Sequence, residues 1–210
     1  MFDVVLDTET TGLSKQNDRI IEIAAQRIRG HEITDEVYSQ FVNPGDVDIS
    51  PEAQKVHGIS MTDVADKPAF SEIMDDFVAF IKGGRLIIHN APFDVGFLNA
   101  ELHRAGHRQR IEDICVEVVD TLTLARKMFP GRRNSLDALC QRYSIDKSQR
   151  VLHGALIDTN LLAQVYLCMT NSQSHITLEQ ERQIQQDVSD EQWRTLAQDM
   201  IVRSESELTE

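Results

Sequence analysis

The segment that most limits what this chain can fold into is Val4–Leu13, VVLDTETTGL, in which the apolar run Val4-Val5-Leu6 passes directly into two carboxylates at i and i+2. The two-residue repeat of a strand points Asp7 and Glu9 at one face. Two adjacent anions on one face need a cation. Hard oxygen ligands with no matching Cys/His cluster favour Mg2+ or Mn2+ over Zn2+. A D-x-E pair by itself is a weak signal, because paired carboxylates also arise on solvated faces. It gains force from two further segments, LIIHNAPFD and LHGALID, which place Asp94 and then His153 and Asp158 at the ends of regular elements. Gly12 supplies a turn that can bring backbone amides close to a ligand.

The pattern around these segments is strands first, then helices interleaved with strands. Arg19–Arg29 and Glu36–Asn43 alternate as strands around a turn at Gly30-His31-Glu32, an antiparallel extension of the opening strand. Ser71–Lys82 reads as an amphipathic helix, with Ser71 as its cap, Ile73, Met74, Phe77 and Ile81 on one face, and Gly83-Gly84 as its stop. Arg85–His89 reads as a short buried strand, followed by a helix over Asp94–Ala105. Further helices are expected at Asp120–Phe129, Ser135–Tyr143 and Gly154–Met169. This is an α/β core with a mixed sheet over residues 1–170. Beyond Thr170 the composition turns to Ser, Gln and acids, so 171–210 reads as a flexible tail, with Trp193, Leu196, Met200 and Ile201 spaced like one face of a short helix.

The net charge is −13, at first sight poorly suited to a polyanionic partner. Its distribution softens that objection, because residues 171–210 hold nine acids against three bases. Residues 104–150 hold ten bases against six acids, which reads either as a local basic rim or as a solvated helical face. Cys115, Cys140 and Cys168 have no C-x-x-C spacing and read as reduced thiols in or near the core. No apolar run approaches the roughly 20 residues of a membrane span, and the start has neither a basic region nor a cleavage site. A cytoplasmic protein without membrane contact is expected.

His153 lies five residues before Asp158, an interval that turns away from a shared helical face, so His153 is expected in the loop before Gly154 and Asp158 on the helix. A histidine beside a metal-bound water suits a general base at neutral pH. His57 and His89 read as hydrogen-bonding residues as readily as ligands, and Phe93 reads equally as core or as a substrate platform.

DTETTGL, HNAPFD and HGALID, in this order and spacing, resemble the three exonuclease motifs of the DEDDh superfamily, with histidine rather than tyrosine in the last. VHGI, DTLTLARKMFPGRRNSLDALCQRY and LHGALIDTNLLAQVYL carry the likeness further, to the epsilon proofreading subunits of bacterial DNA polymerase III, over roughly residues 3–170. The resemblance implies a ribonuclease H-like fold with flanking helices and 3′→5′ removal of nucleotides from a single-stranded or frayed DNA end. It implies two divalent cations, Mg2+ or Mn2+, held by Asp7, Glu9, Asp94 and Asp158, with His153 as base. By the same likeness Thr10, Gly12 and Leu13 approach the terminal nucleotide, and Glu52, Val56, His57, Asn90 and Phe93 surround its sugar and base. The implied partner is the polymerase catalytic (alpha) subunit, the chain being a monomer within a bacterial polymerase core. The tail departs from the family's longer docking segment. Two rivals use the same residues differently: an RNA-processing DEDDh exonuclease, and a mainly structural replisome subunit with a vestigial site.

Overall fold

The computed structural model describes residues 2–148 and 152–170, so the expectations for 171–210, including the Trp193 cluster, fall outside the described residues. Five strands form one mixed sheet in the order β3-β2-β1-β4-β5: β1 Asp3–Thr10, β2 Ile20–Arg29, β3 Glu32–Phe41, β4 Arg85–Ile88 and β5 Glu117–Asp120. β1, β2 and β3 pair antiparallel, while β4 runs parallel to β1 and β5 parallel to β4. The helices are α1 Pro51–His57, α2 Met61–Val64, α3 Phe70–Ile81, α4 Ala91–Arg104, α5 Ile111–Ile114, α6 Thr121–Met128, α7 Leu136–Arg142, and α8 at residues 155–170. The core described below lies within the unit Met1–Leu167.

Both faces of the sheet are covered, which is why β1 and β4 read as nearly continuous apolar runs. On one face Val4, Leu6, Leu86 and Ile88 pack with Phe77 and Ile81 of α3 and with Leu98 and Leu102 of α4. On the other, Val5, Ile87 and Ile28 meet Leu162, Ala163 and Tyr166 of α8. Strand alternation then sends Asp7 and Glu9 to the α8 face and Thr8 to the α4 face. Arg85 grips Asp3 through two 2.9 Å bonds at the opposite end of β1 and β4. The parallel strands β1, β4 and β5 therefore present their carboxyl ends along one edge, where α/β sheets bind ligands.

Several elements differ from the sequence expectation. α3 begins at Phe70, and its exposed N–H at Ala69 is received by Glu72 at 2.7 Å, so Ser71 lies inside the first turn and is not the cap. α4 begins three residues before Asp94, with Pro92 in the first turn, where its missing N–H costs nothing. β5 escaped notice because a four-residue strand carries too little alternation to stand out; its pairing to β4 creates it. α1 had signals that were legible: Ser50 caps Ala53 N–H at 3.2 Å, Pro51 occupies the first turn, and Gly58 ends the helix at φ 75°. α2 and α5, at four residues each, are too short to show periodicity.

Phe77 is fully buried and packs against both Tyr38 and Phe70, so it joins α3 to the sheet. Phe77→Ala should cost about 3–5 kcal/mol in urea unfolding, the usual range for removing a buried aromatic ring. A loss below about 1 kcal/mol would mean that this face repacks freely.

Candidate active site

β1 carries the first acids of the site, and its neighbours bring the others. Glu9 stands opposite Glu22 in the β1–β2 register. Thr8, on the other face, donates to Asp94 Oδ1 at 2.7 Å, which ties the first turn of α4 to the strand. From the other side, Glu22 Oε2 accepts the Ala155 N–H at the start of α8 at 3.0 Å. Thr159 donates to Ala24 carbonyl at 3.2 Å, so α8 is pinned along β2 and delivers the buried carboxylate of Asp158. His153 lies in the loop before α8, as its five-residue spacing predicts, and its Nδ1 meets Asp158 Oδ2 at 3.1 Å. Ligand atoms of Glu9, His153 and Asp158 all fall within 4.8 Å of one another.

The electrostatics follow from this crowding. Burial, and then the charges of Asp94, Glu9, Asp158 and Glu22, push Asp7 well above the usual carboxylate range. The residue is partly open to a cavity, yet its carboxyl is ringed by protein. Burial lifts Asp94 to about 7 against the opposing bond from Thr8. Glu22 is raised by burial, with the Ala155 N–H pulling it down and Asp158 pushing it up. Such a group of oxygens, held together against mutual repulsion, is a donor set for a divalent cation.

Two cavities of about 630 Å3 each adjoin these residues. The first is walled by Thr8–Thr10, Gly12–Ser14 and α1. It holds Thr10, Gly12, Leu13, Glu52, Val56, His57 and Phe93, so seven of the eight expected substrate residues share one wall. Leu13 is 87% and Val56 48% exposed, which leaves an apolar surface for a flat ligand. Phe93 both lines this cavity and packs on Phe97 with ring centroids 4.9 Å apart. His57 accepts the Ile59 N–H on Nδ1 at 3.0 Å, which puts its proton on Nε2, and burial lowers its pKa. Asn90 is the exception. It lines the second cavity, with Asp7, His89, Arg126, Arg132, His153 and Asp158. It takes φ 69°, with its N–H and that of Ala91 received by Asp120.

Sequence reasoning missed the residues that hold the walls in place. Asp18 accepts from Thr11 Oγ1 at 3.0 Å and from Ser14 N–H at 2.8 Å, and its carboxylate lies where a Cβ at Gly12 would stand, at 2.6 Å. A side chain at position 12 would have to displace that carboxylate from its bonds to Thr11 and Ser14. Arg104 donates to the carbonyls of Lys15 and Gln16, both at 2.8 Å, and fixes the same loop from α4. The His153 N–H donates to Val56 carbonyl at 3.2 Å, which joins the loop before α8 to α1. Gly58 leaves room for Leu152, whose Cδ1 would stand 2.5 Å from a Cβ there. Glu22 and Asp120 had no signal beyond their positions in or next to apolar runs.

Comparison with known proteins agrees with this geometry. Residues 4–166 match the family model described as exonuclease. DNA polymerase III subunit epsilon of Haemophilus influenzae is 46% identical over 183 residues, which cover 85% of this chain and 71% of that protein. The subunit epsilon of Escherichia coli K12 is 44% identical over 188 residues, covering 87% and 77%. Among solved structures, exonuclease X in complex with 5′-overhanging duplex DNA superposes with a TM-score of 0.62 at 29% identity, covering 81% of this chain and 92% of that one. E. coli exonuclease I in complex with a dT13 oligonucleotide shares the fold, with a TM-score of 0.74 at 16% identity, covering 84% and 42%.

Because burial and neighbouring anions oppose the ionisation of Asp7 and Asp94 only in the folded protein, metal-free protein should lose stability as pH rises. Unfolded aspartates ionise near pH 4, so the loss begins at about that pH and continues through about 7. In EDTA the melting temperature should be lower at pH 8 than at pH 5.5, and Asp7→Asn should flatten the difference. Equal pH dependence in the wild type and in Asp7→Asn would remove Asp7 from the repulsive cluster.

Proposed function

Since the chain belongs to the exonuclease family, alongside the epsilon subunits of bacterial DNA polymerase III, we propose that it proofreads DNA by excising mismatched 3′-terminal nucleotides. The enzyme is a 3′→5′ DNA exonuclease. One observation carries the reading: Asp7, Glu9, Asp94, Asp158 and His153, from three distant segments, converge at the carboxyl edge of the parallel strands, beside a cavity sized for a nucleotide.

The family implies a divalent metal, and the donor set fits one, since ligand atoms of Glu9, His153 and Asp158 lie within 4.8 Å of one another beside the Asp7 carboxylate. We take Asp7, Glu9, Asp94 and Asp158 to hold two ions, Mg2+ or Mn2+. When bound, such ions polarise the phosphoryl group, acidify a water and stabilise the leaving 3′-oxygen. The protein's own residues do the rest. A carboxylate at His153 Nδ1 requires that nitrogen to donate, which leaves Nε2 as the proton acceptor for an attacking water. His153 is half-exposed while Asp158 is buried, so the base reaches substrate from a fixed anchor. The apolar wall of Leu13, Val56 and Phe93 accepts the face of the terminal base, and Thr10, Gly12, Glu52 and His57 border its sugar, while Asn90 lies on the second cavity beside Asp7. A mismatched end frays more readily and enters such a single-strand site at less unstacking cost, so base identity need not be read.

One gel decides the activity: matched DNA, mismatched DNA and RNA oligonucleotides labelled at the 5′ end, with and without Mg2+. The wild type should shorten mismatched DNA fastest, and Asp7→Ala should abolish cleavage while remaining folded. His153→Ala should lose roughly 10²–10⁴-fold in rate and alter the acidic limb of the pH profile. Faster cleavage of RNA would favour an RNA-processing role, and undiminished turnover in Asp7→Ala would overturn the metal assignment.

We also take residues 1–170 as the catalytic domain and 171–210 as a segment for docking to the polymerase catalytic subunit. Deleting 171–210 should spare hydrolysis of a short oligonucleotide and weaken polymerase binding. Lost hydrolysis would mean that the domain extends past 170, and unchanged binding would place the docking surface elsewhere.

A further inference from the structure

Arginines on this fold are, for the most part, already engaged. Arg27 and Arg29 hold Glu36, Arg85 holds Asp3, Arg19 and Arg104 hold carbonyls of the loop after β1, and Arg142 bonds Asn134 and the Arg133 carbonyl. Arg126 and Arg132 differ. Both are exposed, both line the second cavity, and neither guanidinium makes a hydrogen bond or ion pair among the described residues. Asp137 on the same wall pairs with Lys147 at 2.6 Å. Two uncommitted guanidinium groups thus share a cavity of about 630 Å3 with Asp7, His153 and Asp158.

We propose that Arg126 and Arg132 form a subsite for the phosphodiester backbone of the substrate strand, on the 5′ side of the bond being cut. The inference rests on the exonuclease reading above and adds the direction of the strand. Excision from a 3′ end leaves one nucleotide on the departing side and the whole remaining strand on the other. The first cavity has the predominantly apolar wall that a single base needs, while the second has a larger polar share and the two arginines. A planar guanidinium matches phosphate oxygens in a two-point bond, whereas it has nothing to offer the carboxylates' metal ions. The same placement explains how a chain of net charge −13 can hold a polyanion: the attraction is local to the strand's exit path. Arg126 on α6 and Arg132 just before α7 also give the basic stretch between the second and third motifs a use that composition alone left open.

The test pairs two substrates. A single-stranded oligonucleotide carries upstream phosphates, and the p-nitrophenyl ester of thymidine 5′-monophosphate carries only the reacting one. In Arg126→Gln/Arg132→Gln, KM for the oligonucleotide should rise by roughly tenfold or more, and the slope of log KM against log salt should fall by about 0.7 per arginine. Hydrolysis of the ester should stay within about twofold of wild type, since it never reaches the subsite. Arg108→Gln, exposed between α4 and α5, should change neither substrate. An unchanged oligonucleotide KM and salt slope would overturn the subsite. So would an equal loss on both substrates, which would assign the arginines to the reacting phosphate. Wild-type protein inactive on both in Mg2+ and Mn2+ would instead overturn the exonuclease reading, and the subsite with it.

Discussion

Mutual repulsion among buried carboxylates at the end of β1 is the constraint around which this molecule is arranged. Asp7 is pushed up by burial and by four other acids, and two of those, Asp94 and Glu22, are themselves raised. A chain free to relax would separate such groups. Here the apolar faces of β1 and β4, closed by α3 and α4 on one side and α8 on the other, hold them in place. The hydrogen bonds at the site then serve position more than stability: Thr8 to Asp94, Ala155 to Glu22 and His153 to Asp158 each fix a carboxylate that would otherwise swing outward.

The supporting loops obey the same logic. Residues 11–19 are held by Asp18 from within and by Arg104 from α4, and Ser50 N–H reaches the Thr11 carbonyl at 2.9 Å. The loop before α8 is tied to Val56 through the His153 amide. These bonds join the first cavity, the histidine and the carboxylates into one rigid surround, which a reaction depending on alignment requires. Cys115, whose thiol burial pushes up to about 11, and buried Cys140 are packing residues far from this chemistry in character.

Charge is distributed to match. Most arginines are spent on fastening loops and strand ends, and two are left facing a cavity beside the carboxylates. An acidic protein can bind a polyanion when a metal site neutralises the reacting phosphate and a few cations meet the rest, so net charge is a poor guide to partner choice.

The sequence by itself determined the strands with strong alternation, the main helices and the placement of His153 in a loop before the helix that carries Asp158. Those features are local: period, caps and spacing are written in neighbouring residues. Tertiary structure decided what depends on distant pairing. β5 exists because β4 offers it an edge; Asn90 adopts its left-handed turn because Asp120, thirty positions away, receives its amide. Glu22 joins the acids because the β1–β2 register sets it opposite Glu9, and Asn90 falls in the second cavity because the end of β4 faces β5 and away from α1. Arg126 and Arg132 were only two bases among ten until the fold set them beside the cluster with no hydrogen bond or ion pair among the described residues. No window of sequence holds such information, because the energy that fixes each of these residues comes from groups brought together only when the sheet closes.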